Sequence, residues 1–320
     1  MACLVQATYV LESDRKKSRE PLAPDWWMSF GFELVNTFID DKDSSIFGAI
    51  YRNTRYNNRT PQAPRFVIAF RGTIQEATNI HSDISHDLLV NDSDLDFTSQ
   101  LKKTMQQIVY HISEFGAEAT FLAGHSLGST MAMLVGANLA TKGIYLKTFL
   151  FNLPSCLTEE ESSRRLIAWF IQITPWVAGF AGAVGMFPLA AIAYLSTALS
   201  LVTSSSLVAA TGIAALTSLA ALAGTSVLKL KKRSRLEEMS LFAPYIFVNP
   251  EDPACKNWIP YFCNQPRGNK RSRLEFADFV ESAVLKINSV PGQGMLKAQS
   301  LKQWWQQGIE LLNLDEYGSH

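Results

Sequence analysis

The sequence predicts an α/β fold: a mostly parallel sheet with helices on both faces, interrupted by a long apolar helical insertion. Three observations carry that expectation. Apolar runs of strand length alternate with runs at helical spacing across residues 45–151. Within that region EATFLA (118–123) is followed at once by Gly124-His125-Ser126-Leu127-Gly128 and then by STMAMLVGANLA (129–140), which reads as strand, tight turn and helix. Finally, residues 166–228, 63 in all, contain no Asp, Glu, Lys or Arg.

Taken in order, residues 4–13 (LVQATYVLES) fit neither the strand nor the helix period, which leaves both open. Pro21, Pro24 and Asp25 mark a turn before Trp26 and Trp27, whose expected role is packing. The apolar run 30–39 is expected to be helical. SIFGAIY (45–51) and RFVIAF (65–70) read as strands, separated by a polar, proline-containing loop. Residues 73–96 are polar and broken. Leu101, Met105, Ile108, Val109 and Ile112 have helical spacing within 97–115. YLKTFLF (145–151) and YIFV (245–248) are strands, each ending in an Asn-containing turn. Beyond them, 254–273 is expected to be a loop, 274–287 a helix, and 289–294 a turn.

Gly124 and Gly128 lack a Cβ, so a serine between them can be held proud of the sheet while the helix packs close behind. Gly128, Ala132, Gly136 and Ala140 recur every fourth residue, a small-residue stripe that lets the helix lie near the strands.

Composition excludes some classes of function. The chain has 320 residues and zero net charge, so no basic surface argues for nucleic acid. Cys3, Cys156, Cys255 and Cys263 are too few for a disulfide framework and have no zinc-site spacing. No signal-peptide pattern opens the chain, and a reducing, intracellular setting is expected. The uncharged run has room for two or three membrane spans of about 20 residues. Arg164 and Arg165 precede it, and Lys229, Lys231, Lys232, Arg233 and Arg235 follow it. That suits a hairpin with both ends in the cytoplasm, the alternative being an apolar lid. The expected division is therefore 1–163 for the first part of the core, 164–235 for the insertion and 236–320 for the second part.

A G-x-S-x-G turn between strand and helix is the nucleophile elbow of α/β-hydrolases. Ser126 is then the nucleophile, and the N–H of Leu127 the first oxyanion donor. The acid must follow on a later strand, and Asp252 fits, with Glu251 as the neighbouring alternative. Such a triad needs no metal or organic cofactor. Phe70-Arg71-Gly72-Thr73 resembles the F-R-G-[ST] turn of class 3 lipases, and that resemblance implies Thr73 as the second oxyanion donor. Asp83 and Asp87-Leu88 resemble the same family's D-x-x-x-D-L continuation. More closely, LVQATYVLE, DSSIFGAIY, RFVIAFRGT, GHSLGS and FLFN-P resemble a plant lipase class 3-like family. It is often labelled GDSL esterase/lipase, although no Gly-Asp-Ser-Leu occurs here. The resemblance covers nearly all of 1–155 and again 242–305, and implies an acyl-ester or lipid substrate.

The chain departs from that family's A-H-G-[IL]-H-Q-W-W ending, where Gln299 and Lys302 stand at the two histidine positions of AQSLKQWW. In the order Ser, Asp, His, one histidine follows Asp252: His320, the last residue, at a terminus of the kind that is usually poorly fixed. His81, His86 and His111 come too early and are expected at the surface or on a substrate loop, and His125 is expected to point away from the turn. Glutamine takes no proton at neutral pH. The sequence therefore supports a membrane-associated serine esterase or lipase. The alternative is a catalytically weakened hydrolase fold that serves as a membrane-bound binding or scaffold protein. If Ser126 and Asp252 share a site, the number of membrane crossings between them is even.

Overall fold

A computed structural model describes residues 1–17, 25–56, 63–72, 91–158, 160, 163–164, 166–168, 238–264, 279–290 and 294–317. In chain order these form α1 (Ala2–Lys17), a 3-10 turn (Trp26–Phe30), β1 (Phe32–Ile39), β2 (Ile46–Asn53), β3 (Phe66–Phe70), α2 (Asn91–Phe115), β4 (Thr120–His125) and α3 (Leu127–Ala140). There follow β5 (Lys147–Phe151), a second 3-10 turn (Ser155–Thr158), β6 (Tyr245–Val248), α4 (Trp258–Asn264), β7 (Val284–Asn288), α5 (Met295–Gln299), a further 3-10 turn (Leu301–Trp305), β8 (Leu311–Leu312) and α6 (Leu314–Tyr317). The eight strands make one sheet in sequence order, parallel from β3 to β7 and antiparallel at both edges. The expected mostly parallel α/β sheet is present. Its halves before and after the uncharged run belong to the same sheet, because β5 pairs with β6.

The two faces can be read from β3. Phe66, Ile68 and Phe70 join a core with Leu101, Met105 and Ile108 of α2 and Met131, Leu134 and Val135 of α3. Val67 and Ala69 point the other way, into a core with Leu4, Val5 and Ala7 of α1, Trp27 and Leu301. Helices thus cover both faces, and β3 and β4 are buried along their whole length. Trp27 packs edge-on to Tyr51 at 6.0 Å, the packing role expected of it.

The small-residue stripe sets how close α3 comes. A Cβ on Gly124 would lie 2.2 Å from the Gly128 carbonyl oxygen, and one on Gly128 would lie 2.5 Å from that of Arg71. One on Gly136 would meet the Phe242 ring at 2.6 Å.

Several expectations are corrected. Residues 32–39 are the edge strand β1, not a helix. Their backbone pairs antiparallel with β2 through two register shifts, and that non-local ladder overrides a local apolar run. The end of the 274–287 segment is likewise β7, held between β6 and β8. The expected 254–273 loop contains α4, whose Trp258 is fully buried and donates to the Leu153 carbonyl at 2.7 Å. Residues 4–13 lie in α1. Its buried face includes Thr8 and Glu12, which obscure the apolar period. Thr8 bonds back to the Leu4 carbonyl. Glu12 accepts from Arg15 Nε and Nη2 at 2.7 and 2.8 Å and from the Ile46 N–H at 2.7 Å. Burial opposes its charge, but these donors outweigh it and hold the carboxyl below its usual range.

Of the uncharged run, residues 166–168 are described, with Leu166 buried in the core; 169–228 lie outside the described residues. Among the described residues no helix is long and apolar enough to cross a membrane, so the expected insertion finds no support here.

Candidate active site

Ser126 sits between β4 and α3 with φ 52° and ψ −125°, a backbone conformation that a residue with a Cβ rarely adopts. The conformation is held from outside. The Ser126 N–H bonds to the Phe151 carbonyl at 3.0 Å, and the Ser126 carbonyl accepts from the Ser129 N–H at 2.9 Å and from the Ser129 hydroxyl. Gly72 packs against the turn: a Cβ there would lie 2.9 Å from both the Ser126 Cβ and the His125 carbonyl oxygen. Leu127 is the first residue of α3, so its N–H is one of those a helix leaves unpaired, at the positive end of the helix. Thr73 follows Gly72 directly but lies outside the described residues.

Asp252 is fully buried beyond the end of β6, two strands from the elbow. Its Oδ2 accepts from Asn152 Nδ2 at 2.6 Å and from Cys255 Sγ at 3.2 Å, and its Oδ1 accepts from the Ala254 N–H at 2.9 Å. Burial and the adjoining carboxylate push the Cys255 thiol well above its ordinary value, leaving it an inert donor. Glu251 points elsewhere, taking the Gly294 N–H at 2.8 Å.

Asn152, which the sequence reading did not single out, is the hub. It stands just after β5 with φ 50°. Besides Asp252 it donates to the Ala298 carbonyl at 2.9 Å and accepts from Trp304 Nε1 at 2.8 Å. Asn249 after β6 and Asn288 at the end of β7 both donate to Gln303 Oε1, at 2.6 and 3.0 Å, and Gln303 Nε2 donates to the Ala298 carbonyl. A layer of buried amides at the carboxyl ends of β5, β6 and β7 therefore clamps segment 298–304 over the strand ends. Asn152 lies within FLFN-P, and Gln303 and Trp304 within the QWW ending. Those shared stretches were the available signal, although nothing in them names a partner more than 100 residues away.

The same clamp places Gln299. Its backbone carbonyl accepts from His125 Nε2 at 2.9 Å, so position 299 lies beside the residue preceding Ser126. The other His125 nitrogen, Nδ1, bonds the Tyr9 hydroxyl at 2.8 Å. Burial lowers the His125 pKa to about 4, with the Gln299 carbonyl acting in the opposite direction. A neutral ring with both nitrogens committed, turned toward α1, is not a base for Ser126, in line with the expectation for His125. His111 corrects its expectation. It is a core residue of α2, edge-on to Phe66 at 4.3 Å, and held at about 4 by burial and then by Arg65. His81, His86, Asp83, Asp87 and His320 lie outside the described residues. Among the described residues no group of acidic, histidine and cysteine side chains could hold a metal ion.

The structure thus brings Ser126, Leu127, Asp252 and position 299 to the carboxyl-terminal edge of the parallel strands, where open α/β sheets carry their sites. No protein-family model matches the chain, and no solved structure matches it. Over 335 aligned residues it is 29% identical to a GDSL esterase/lipase of Arabidopsis thaliana, covering 95% of this chain and 87% of the relative. The likeness covers nearly the whole chain and supports kinship with lipases and esterases.

Proposed function

We propose that this protein is a serine hydrolase of acyl esters with an α/β-hydrolase-type core, and that Ser126 is its nucleophile. The observation that supports this most is the Ser126 backbone. A strained φ of 52° between a buried parallel strand and a helix N-terminus makes sense where a hydroxyl must be presented to a substrate. The Arabidopsis relative, named an esterase/lipase, points to the same reaction.

In this reading Ser126 Oγ attacks the ester carbonyl, and the N–H groups of Leu127 and Thr73 receive the oxyanion. Asp252 orients the base, which by chain order is His320, and the alcohol leaves before water releases the acid. Residues 166–228 hold the protein at a lipid surface. Ser126 and Asp252 lie at one edge of one sheet, so any bilayer crossings between them are even in number. The test is labelling by a fluorophosphonate probe and turnover of p-nitrophenyl esters, both expected to vanish in Ser126→Ala. Absence of any Ser126-dependent labelling refutes the assignment.

A specific observation favours a second reading, a weakened hydrolase retained for binding. Of the two described histidines neither can serve Ser126, and Gln299 sits where the resembled family carries histidine. Gln299→His is then expected to raise ester turnover by about a hundredfold or more. A native chain already as fast as that variant overturns this reading.

A further inference from the structure

Four groups that the proposed chemistry does not use form one continuous hydrogen-bonded chain around Ser126. The Gly72 N–H donates to the Tyr9 hydroxyl oxygen at 2.7 Å. Tyr9 meets His125 Nδ1 at 2.8 Å, and His125 Nε2 meets the Gln299 carbonyl at 2.9 Å. Its polarity follows from its ends. A backbone N–H can only donate and a backbone carbonyl can only accept. The proton of His125 must therefore sit on Nε2, Nδ1 must accept, and the Tyr9 O–H must donate to it.

The chain links three segments that touch the elbow from different parts of the sequence: the turn leaving β3, the last residue of β4, and α5. Tyr9 is central to it because a Cβ on Gly72 would lie 2.8 Å from the Tyr9 oxygen and 2.9 Å from the Ser126 Cβ. Little room separates α1, the β3 turn and the nucleophile. Tyr9 is also fully committed in this role: burial raises its pKa, and the Gly72 N–H opposes that rise only in part.

We propose that Tyr9 is a positioning residue for the reaction of Ser126, its hydroxyl setting the β3 turn and the His125 ring against the nucleophile. The proposal rests on the reading of Ser126 as nucleophile. It follows that α1, far from the reacting atoms in sequence, is part of the catalytic scaffold. Without the hydroxyl, the Gly72 N–H and His125 Nδ1 lose their shared partner, and the Arg71-Gly72 turn is free to drift from Ser126.

The test is Tyr9→Phe in the full chain, with two measurements. The rate of fluorophosphonate labelling at saturating probe is expected to fall about tenfold while half-saturation changes little, since misplacement by a fraction of an ångström acts on the transition state. Nitrogen-15 spectra of wild type are expected to show His125 protonated on Nε2 with a hydrogen-bonded Nδ1, and the Nδ1 signal to move in Tyr9→Phe. Labelling of wild type and variant at equal rates overturns the positioning role and leaves the nucleophile assignment standing. The Nδ1–H tautomer in wild type overturns it without any variant. A wild type that takes no label at Ser126 overturns the nucleophile assignment and this inference with it.

Discussion

Replacing Gly128 with alanine sets two effects of opposite sign against each other. Gly128 lies in the first turn of α3, where alanine would gain up to about 1 kcal/mol of helix propensity. Its added methyl, however, would lie 2.5 Å from the Arg71 carbonyl oxygen, 2.6 Å from that of Phe70 and 2.7 Å from the Arg71 carbonyl carbon. To reach an ordinary 3.4 Å, the helix and the β3 exit must part by roughly 0.9 Å. All three obstacles are backbone atoms on a buried strand end, so no rotamer change relieves them. A net loss of about 3 kcal/mol is expected, the upper end of overpacking costs. For a chain of 320 residues that lowers Tm by about 4–5 °C. The parting also moves Arg71-Gly72 away from Ser126, so labelling of the serine should slow as well. Thermal unfolding of Gly128→Ala and Gly136→Ala, followed by circular dichroism, checks the argument. At Gly136 the obstacle is the Phe242 ring, a side chain that can turn, so its loss should be clearly smaller. A Gly128→Ala protein as stable as wild type, or losses in the reverse order, would refute the reasoning.

Acid should destabilise the protein through its buried rings. The unfolded chain protonates His125 near 6.5 but the folded chain only near 4, so stability is lost as pH falls through that interval, by up to about 3 kcal/mol for this one ring. His111 acts in the same direction over the same interval, and urea midpoints that stay constant across it would contradict both assignments. Asp252→Asn puts an amide N–H where an acceptor now faces Asn152, Cys255 and the Ala254 N–H. A loss of about 2 kcal/mol, read as a lowered urea midpoint, should accompany loss of any esterase activity. Iodoacetamide should modify exposed Cys263 readily and spare Cys255 until the chain unfolds, and early modification of Cys255 by mass spectrometry would argue against its burial.

The elements that could be read from sequence are those whose cause is local. The elbow is legible because strand, turn and helix are contiguous, and Gly124 is required by its contact with Gly128 and Ser129 only a few residues on. β3 and β6 are legible because a strand inside a parallel sheet is apolar on both faces. The misread elements all depend on a distant partner. Phe32–Ile39 is a strand because β2 supplies its ladder, and Val284–Asn288 because β6 and β8 flank it. The helical character of residues 2–17 is hidden because Thr8 and Glu12 are buried there, an arrangement tolerated only because Arg15 and the Ile46 N–H satisfy the carboxylate.

The sequence by itself determined that a serine stands at a cramped strand-to-helix turn, that an acid follows a later strand, and that glutamine occupies a position where the resembled family carries histidine. Each is a matter of residue identity and short spacing. Only the tertiary structure decided what surrounds them. It put Asn152 against Asp252, clamped 298–304 through buried amides on three strand ends, and used His125 to join α1 to α5 rather than to serve the serine. Those partners lie 15 to 174 residues apart along the chain, and a hydrogen bond between strand ends is set by the stacking order of the strands, which no local pattern of side chains records.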